Sequence, residues 1–133
     1  MIMMVKVFDF LVYRDWSIFV NLESLDITSN LVIDLSPIKN LTSLKKFSTV
    51  YNIIEDFTPL QNLTNLERLE IYMASASDVT PLRNLTNLKY LMLSGVQSVR
   101  DISLIAKLLQ DTQYKIYLNA GKIVFIMKII QMQ

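Results

Sequence analysis

The stretch from Asp56 to Leu66, DFTPLQNLTNL, recurs as DVTPLRNLTNL from Asp78 and as DLSPIKNLTSL from Asp34, an equal step away in either direction. Each of the later two blocks runs into an L-x-x-L-x-L pattern, LERLEI over Leu66–Ile71 and LKYLML over Leu88–Leu93. A fixed period of this size marks a solenoid, in which each repeat buries its apolar side only against its neighbours. At 133 residues the chain forms one domain, 1–133, of about five or six stacked units.

Inside the block, Ser36-Pro37, Thr58-Pro59 and Thr80-Pro81 have the grammar of a helix start. The hydroxyl is expected to accept from unpaired amides and proline to fill the first helical position. Few residues follow before the next apolar alternation, so one turn of 3₁₀ or α helix is the most that fits. The alternation predicts a strand with Leu25 and Ile27, Leu69 and Ile71, and Leu91 and Leu93 pointing inward. Strands that recur in one direction stack only in parallel, giving one continuous sheet along one side.

The pattern extends beyond the clean copies, from about residue 16 to 119. Leu22, Leu25 and Ile27 form a unit ahead of Asp34. Trp16, Phe19 and Leu22 fill the turn positions of a degraded unit, and Met3 and Val5 the inward positions of a partial first strand. Asp101 opens a further unit after a 23-residue spacing, with its strand in YKIYLN from Tyr114 to Asn119. Residues 1–15 read as a degraded first unit or edge, and 120–133 as an irregular apolar tail.

Leu22-x-x-Leu25-x-Ile27-x-x-Asn30-x-Val32 resembles the leucine-rich repeat consensus, and Leu44-x-x-Phe47-x-Thr49-x-x-Asn52-x-Ile54 follows it less closely. With the D-x-[ST]-P-[LI]-x-N-L-T-x-L block, the units are similar to the 22-residue subtype of bacterial internalins. The resemblance implies an α/β solenoid: a right-handed horseshoe with a parallel β-sheet on its concave side and short 3₁₀/α turns on its convex side. It also implies protein–protein recognition and an asparagine ladder through Asn30, Asn52 and Asn119. The ladder fails at Ala74 and at Val96 or Gln97, and Thr49 buries a hydroxyl where an aliphatic side chain is expected. Neither a helical amino-terminal cap nor an immunoglobulin-like follow-on is seen, so the bare ends are an expected place for self-association.

Composition removes several chemistries. Histidine and cysteine are absent, which excludes thiolate nucleophiles, histidine bases and zinc sites built on those ligands. Thirteen basic against twelve acidic side chains leave a net charge of +1, with no field that would draw nucleic acid or an anionic membrane. Gly95 and Gly121 are the only glycines, so no phosphate-binding loop exists. No catalytic, cofactor or metal site is expected, and the chain is read as no enzyme. The row Asp34, Asp56, Asp78 and Asp101 is read as turn aspartates bonding their own backbone rather than as cation ligands. Lys45-Lys46 and Arg14-Asp15 read as solvated charges. Asn40, Asn62 and Asn84 begin formal glycosylation sequons whose spacing is the repeat itself, so a turn that packs Leu41, Leu63 and Leu85 accounts for them. Neither apolar end reads as a signal peptide or a membrane span. The location is thus left unknown: cytoplasmic by default, and cell-surface or secreted if the chain belongs to a longer internalin-like protein.

Alternation exposes one triplet per strand: Ser24, Asp26, Thr28; Lys46, Ser48, Val50; Arg68, Glu70, Tyr72; Tyr90, Met92, Ser94; and Gln113, Lys115, Tyr117. Tyrosine and arginine are enriched in binding hot spots. The candidate contact surface for a protein partner is thus Lys46, Val50, Arg68, Glu70, Tyr72, Tyr90, Met92, Lys115 and Tyr117. Two alternatives stand beside it: a repeat fragment of a bacterial surface adhesin or effector, and a regulatory subunit docking on an enzyme.

Overall fold

The computed structural model describes residues 2–4, 15–72, 78–94, 115–120 and 123–128, with side chains placed over 15–72 and 78–93. Within one repeat the apolar residues come every third position and then every second: Phe57, Leu60, Leu63, Leu66, Leu69, Ile71. All six are buried. The spacing of three is a chain of tight turns, in which Leu60, Leu63 and Leu66 each donate their amide to the carbonyl three residues back, at 2.9–3.1 Å. The spacing of two is the strand that follows. Each turn of the solenoid therefore satisfies its own backbone while aiming one aliphatic side chain per step at the core. Fully burying a leucine or isoleucine stabilises by about 1.5–3 kcal/mol.

The described strands are β1 (Ile2–Met4), β2 (Ser24–Asp26), β3 (Lys46–Val50), β4 (Arg68–Tyr72), β5 (Tyr90–Ser94), β6 (Lys115–Ala120) and β7 (Ile123–Lys128). They lie in chain order in one sheet. From β1 to β5 the pairing is parallel and in register at the repeat length: Met3 faces Leu25, Leu25 faces Phe47, Phe47 faces Leu69 and Leu69 faces Leu91. On the opposite side run 3₁₀ turns at Ser17–Phe19, Ser36–Ile38, Thr58–Leu60 and Thr80–Asn84. Trp16 and Leu22 are buried in the first of these units, and the Phe19 ring packs on Trp16 with centroids 5.3 Å apart. The expected inward residues from Leu25 to Leu93 are buried without exception.

Several details differ from the expectation. The proline lies second in each 3₁₀ turn, not first, and the Ser or Thr hydroxyl does not cap it. Between β5 and β6, Leu93 faces Leu118 and Ser94 faces Asn119. That offset exceeds the 23-residue spacing of the aspartates, which would set Tyr117 beside Ser94. The tail expected to be irregular contains β7, which pairs antiparallel with β6 from Ala120–Ile123 to Lys115–Lys128. An antiparallel return needs only a two-residue connection, the length of chain between Ala120 and Ile123. Val5, Ala74, Val96, Gln97, Asp101, Gln113 and Tyr114 lie outside the described residues.

Candidate functional site

The sheet face is organised in three columns across β2 to β5, because the register sets equivalent residues side by side. The column at the strand starts is Ser24, Lys46, Arg68, Tyr90. The middle column is Asp26, Ser48, Glu70, Met92. Val50 and Tyr72 form the third, at the strand ends. Adjacent members are about 5 Å apart, the strand spacing.

These side chains hold one another. Arg68 donates from Nε (2.9 Å) and Nη2 to Glu70 Oε1, and its guanidinium lies 3.9 Å over the Tyr90 ring. Glu70 Oε2 accepts from the Ser48 hydroxyl at 3.2 Å, and Ser48 and Thr28 share a further bond at 3.4 Å. Asp26 Oδ1 accepts the Thr28 amide at 2.8 Å. A shallow depression between Ser24, Asp26, Lys46, Ser48, Arg68 and Glu70 opens on this network. Tyr72 meets Tyr51 edge to face, with centroids 5.3 Å apart. The predicted residues Lys46, Val50, Arg68, Glu70, Tyr72, Tyr90 and Met92 therefore share one face, each exposed or half-buried. Lys115 and Tyr117 lie in β6, and their side chains fall outside the described ones.

The edge where the strands end carries residues that strand alternation did not point to. Leu31, Ile33, Tyr51 and Ile53 are 67%, 60%, 55% and 50% exposed. Ser29, Leu31 and Tyr51 have φ of 59°, 52° and 58°. For a non-glycine residue this left-handed conformation costs about 1–2 kcal/mol. Behind these residues stands the ladder. Asn52, 1% exposed, accepts at Oδ1 from the amides of Asn30 (3.0 Å) and Val32 (2.9 Å) and donates from Nδ2 to the Ile27 carbonyl (2.8 Å) and the Thr49 hydroxyl (3.1 Å). The buried hydroxyl of Thr49 thus has its partner one turn further along the same repeat. Asn30 donates to the Thr28 carbonyl at 2.9 Å.

The opposite edge is different in kind. Glu23, Lys45, Glu67 and Lys89 alternate in sign, one per repeat, with contacts of 3.4 Å from Lys45 to Glu23 and 3.6 Å from Lys89 to Glu67. Around the turns, each aspartate accepts the amide two residues on: Ser17 at Asp15, Ser36 at Asp34, Thr58 at Asp56 and Thr80 at Asp78, all at 2.8–2.9 Å. The Ser36 and Thr58 hydroxyls donate to the same carboxylates. The aspartate, not the hydroxyl, therefore receives the orphan amide, and Asp15 is a member of the row rather than a merely solvated charge. The Thr58 hydroxyl first, and its amide second, hold Asp56 below its ordinary 3.8, and Thr80 acts on Asp78 and Ser17 on Asp15 in the same way. Asn65 and Asn87 add a lateral series, donating to the carbonyls of Thr42 and Thr64 at 2.8 Å. Leu41, Leu63 and Leu85 are buried, and Asn40, Asn62 and Asn84 are exposed beside them. No helix among the described residues is long and apolar enough to cross a membrane.

No family model matches the chain, and no curated protein does. Solved structures do. The internalin InlF of Listeria monocytogenes is 32% identical, with a TM-score of 0.70 over 75% of this chain and 29% of that one. The internalin C2 of the same species is 28% identical, with a TM-score of 0.66 over 80% of this chain and 57% of its own length. The chain thus spans less than two thirds of either.

Proposed function

Because the chain is a leucine-rich repeat protein of the internalin-like, 22-residue type, we propose that it is a non-enzymatic module that binds a protein partner on its sheet face. Lys46, Val50, Arg68, Glu70, Tyr72, Tyr90 and Met92 make the contact, and Lys115 and Tyr117 extend it along β6. Stacked repeats build extended surfaces of this kind, with no cleft needed. The observation that carries the reading is the clamped arginine. Glu70 and the Tyr90 ring hold Arg68 from two sides, so a partner meets a planar donor already ordered, and less rotamer freedom is lost on binding. The apolar end of the face, Val50 and Tyr72, supplies the area that a hot spot needs beside it.

The chain's span of 29% and 57% of its structural neighbours supports a second, compatible reading. Here the chain is the recognition part of a longer cell-surface or secreted adhesin or effector. A leader upstream or a wall anchor downstream in the flanking coding sequence is the finding expected under it.

The test places a photo-crosslinking residue at Met92 and, separately, at Ile18 on the turn side. The proposal expects Met92 to yield one saturable protein adduct and Ile18 none. Against the partner so identified, Tyr72→Ala and Tyr90→Ala should each weaken binding about tenfold or more, with the melting temperature nearly unchanged. Adducts from Ile18 alone, or equal losses of stability and binding, refute it.

A further inference from the structure

The edge at which the strands end is apolar where the opposite edge is charged, and nothing in the repeat's own packing calls for that. Residues 29–33 and 51–53 run side by side in adjacent repeats: the Ser29 amide donates to the Val50 carbonyl at 2.7 Å, and the Ile53 amide to the Val32 carbonyl at 3.0 Å. Leu31 and Ile53 are therefore neighbours at equivalent positions, with Ile33 and Tyr51 flanking them, and all four face solvent. The inward side of the same loops is already complete, filled by Val32, Ile54 and the Asn52 amide.

Two features separate this patch from scattered surface apolar residues. Leu31 and Tyr51 hold left-handed backbone, a conformation that glycine or asparagine takes without strain. Bulky apolar side chains are kept there against the local preference, and strain of this sort gathers at functional positions. The charges along the two loops and their continuation are Asp34, Glu55 and Asp56, all exposed and all acidic, with no lysine or arginine from residue 29 to 57 other than those of residues 39–46 on the turns and strand.

We propose that this edge, Leu31, Ile33, Tyr51 and Ile53 bordered by Asp34 and Glu55, docks a protein segment whose apolar side chains are flanked by lysine or arginine. The apolar residues bury against the edge, and the basic ones meet the acidic border. Tyr51 joins the edge to the sheet face through its contact with Tyr72, yet the two surfaces can be tested apart. The edge needs none of Arg68, Tyr90 or Met92.

The experiment follows the backbone amides of the full ¹⁵N-labelled chain during titration with three short synthetic peptides. In one, leucine alternates with lysine; in the second, leucine with glutamate; in the third, serine with lysine. The leucine–lysine peptide is expected to shift the amides of residues 29–33 and 51–55 saturably, and the other two are not. The double variant Leu31→Asn/Ile53→Thr should weaken the leucine–lysine peptide about tenfold or more, the effect of losing apolar anchors. Its melting temperature should hold, since asparagine suits the left-handed position. Tyr90→Ala separates the surfaces, because it should leave the peptide's affinity intact. Equal binding of all three peptides, shifts confined to the sheet face, or no saturable shift overturns the proposal. The same amides moving with protein concentration alone would mean that a second copy covers the edge, and would overturn it too.

Discussion

Replacing Asn52 by alanine should be the most damaging single change on the ladder, and its size follows from counting partners. The side chain is 1% exposed and serves two amides, one hydroxyl and two carbonyls, that of Ile27 at 2.8 Å and more weakly that of Val50 at 3.5 Å. Alanine leaves the amides of Asn30 and Val32 and the carbonyl of Ile27 without those partners, in a loop whose inward side is closed. A buried group left unpaired costs about 1–3 kcal/mol, so the loss should be on the order of 3–6 kcal/mol, allowing for partial relief by water. Set against a total stability of about 5–15 kcal/mol, this is a large share. Thr49→Val supplies the control. It removes only the hydroxyl, while Asn52 Nδ2 keeps the Ile27 carbonyl and the Oδ1 bonds are untouched, so the cost should stay near about 1 kcal/mol. Urea unfolding of both variants measures the difference. Because repeats contact only their neighbours, Asn52→Ala should also lower the slope of the transition, as the units before β3 unfold ahead of those after it. A loss under about 1 kcal/mol for Asn52→Ala, or equal losses for the two variants, would refute the account of the ladder as the tie between these loops.

Three further outcomes follow from the same geometry. Asp15, Asp56 and Asp78 have folded values below the ordinary 3.8; the unfolded chain then binds more protons, so their contribution is present above that pH and is lost as pH falls below it. Melting curves between neutral pH and pH 3 should therefore drop more steeply for the wild type than for Asp56→Asn/Asp78→Asn, and parallel curves would contradict this. Asn65→Ala and Asn87→Ala, which lose one exposed lateral bond each, should cost no more than about 1 kcal/mol apiece in urea unfolding. Ser43 occupies the equivalent position one repeat earlier. Ser43→Asn should add the missing rung toward the Val20 carbonyl and raise the melting temperature by a few degrees, roughly 2–4 °C per kcal/mol gained.

The core and the register were legible in the sequence because both are written as periods. Leu69 and Leu91 stand one repeat apart, and the parallel ladder sets them opposite each other; no information beyond the repeat is required. The same holds for Lys46, Arg68 and Tyr90, which one column brings together. What the period could not show was how those side chains engage. That the exposed Arg68 engages Glu70 and Tyr90 depends on distances that no spacing encodes. The aspartate caps are legible as turn aspartates that bond their own backbone; the Ser or Thr hydroxyl, expected to accept as well, instead donates to the same carboxylate. Either oxygen fits the same D-x-[ST]-P string, and the stronger acceptor prevails. The β5–β6 offset and β7 are not legible, because the repeat's landmarks thin out past Leu93.

The two edges of the sheet face lie at opposite ends of the strands in the same repeats, and their side chains differ in kind. A solenoid exposes both edges along its whole length, and neither contributes to burial. At the strand starts, Glu23, Lys45, Glu67 and Lys89 alternate in charge, a row that matches its own neighbours and offers an apolar partner nothing. Each such exposed pair is worth at most about 1 kcal/mol, so this edge adds little to stability; its effect is to stay solvated. At the strand ends the same freedom holds Leu31, Ile33, Tyr51 and Ile53 in water, two of them on strained backbone. Stability explains neither the strain nor the exposure, since asparagine at Leu31 and Tyr51 would relieve both. If the apolar edge served folding, Tyr51→Asn would lower the melting temperature; if it serves recognition, the same substitution leaves stability level or improved and removes binding. The loop's own geometry thus separates the two explanations with one side chain.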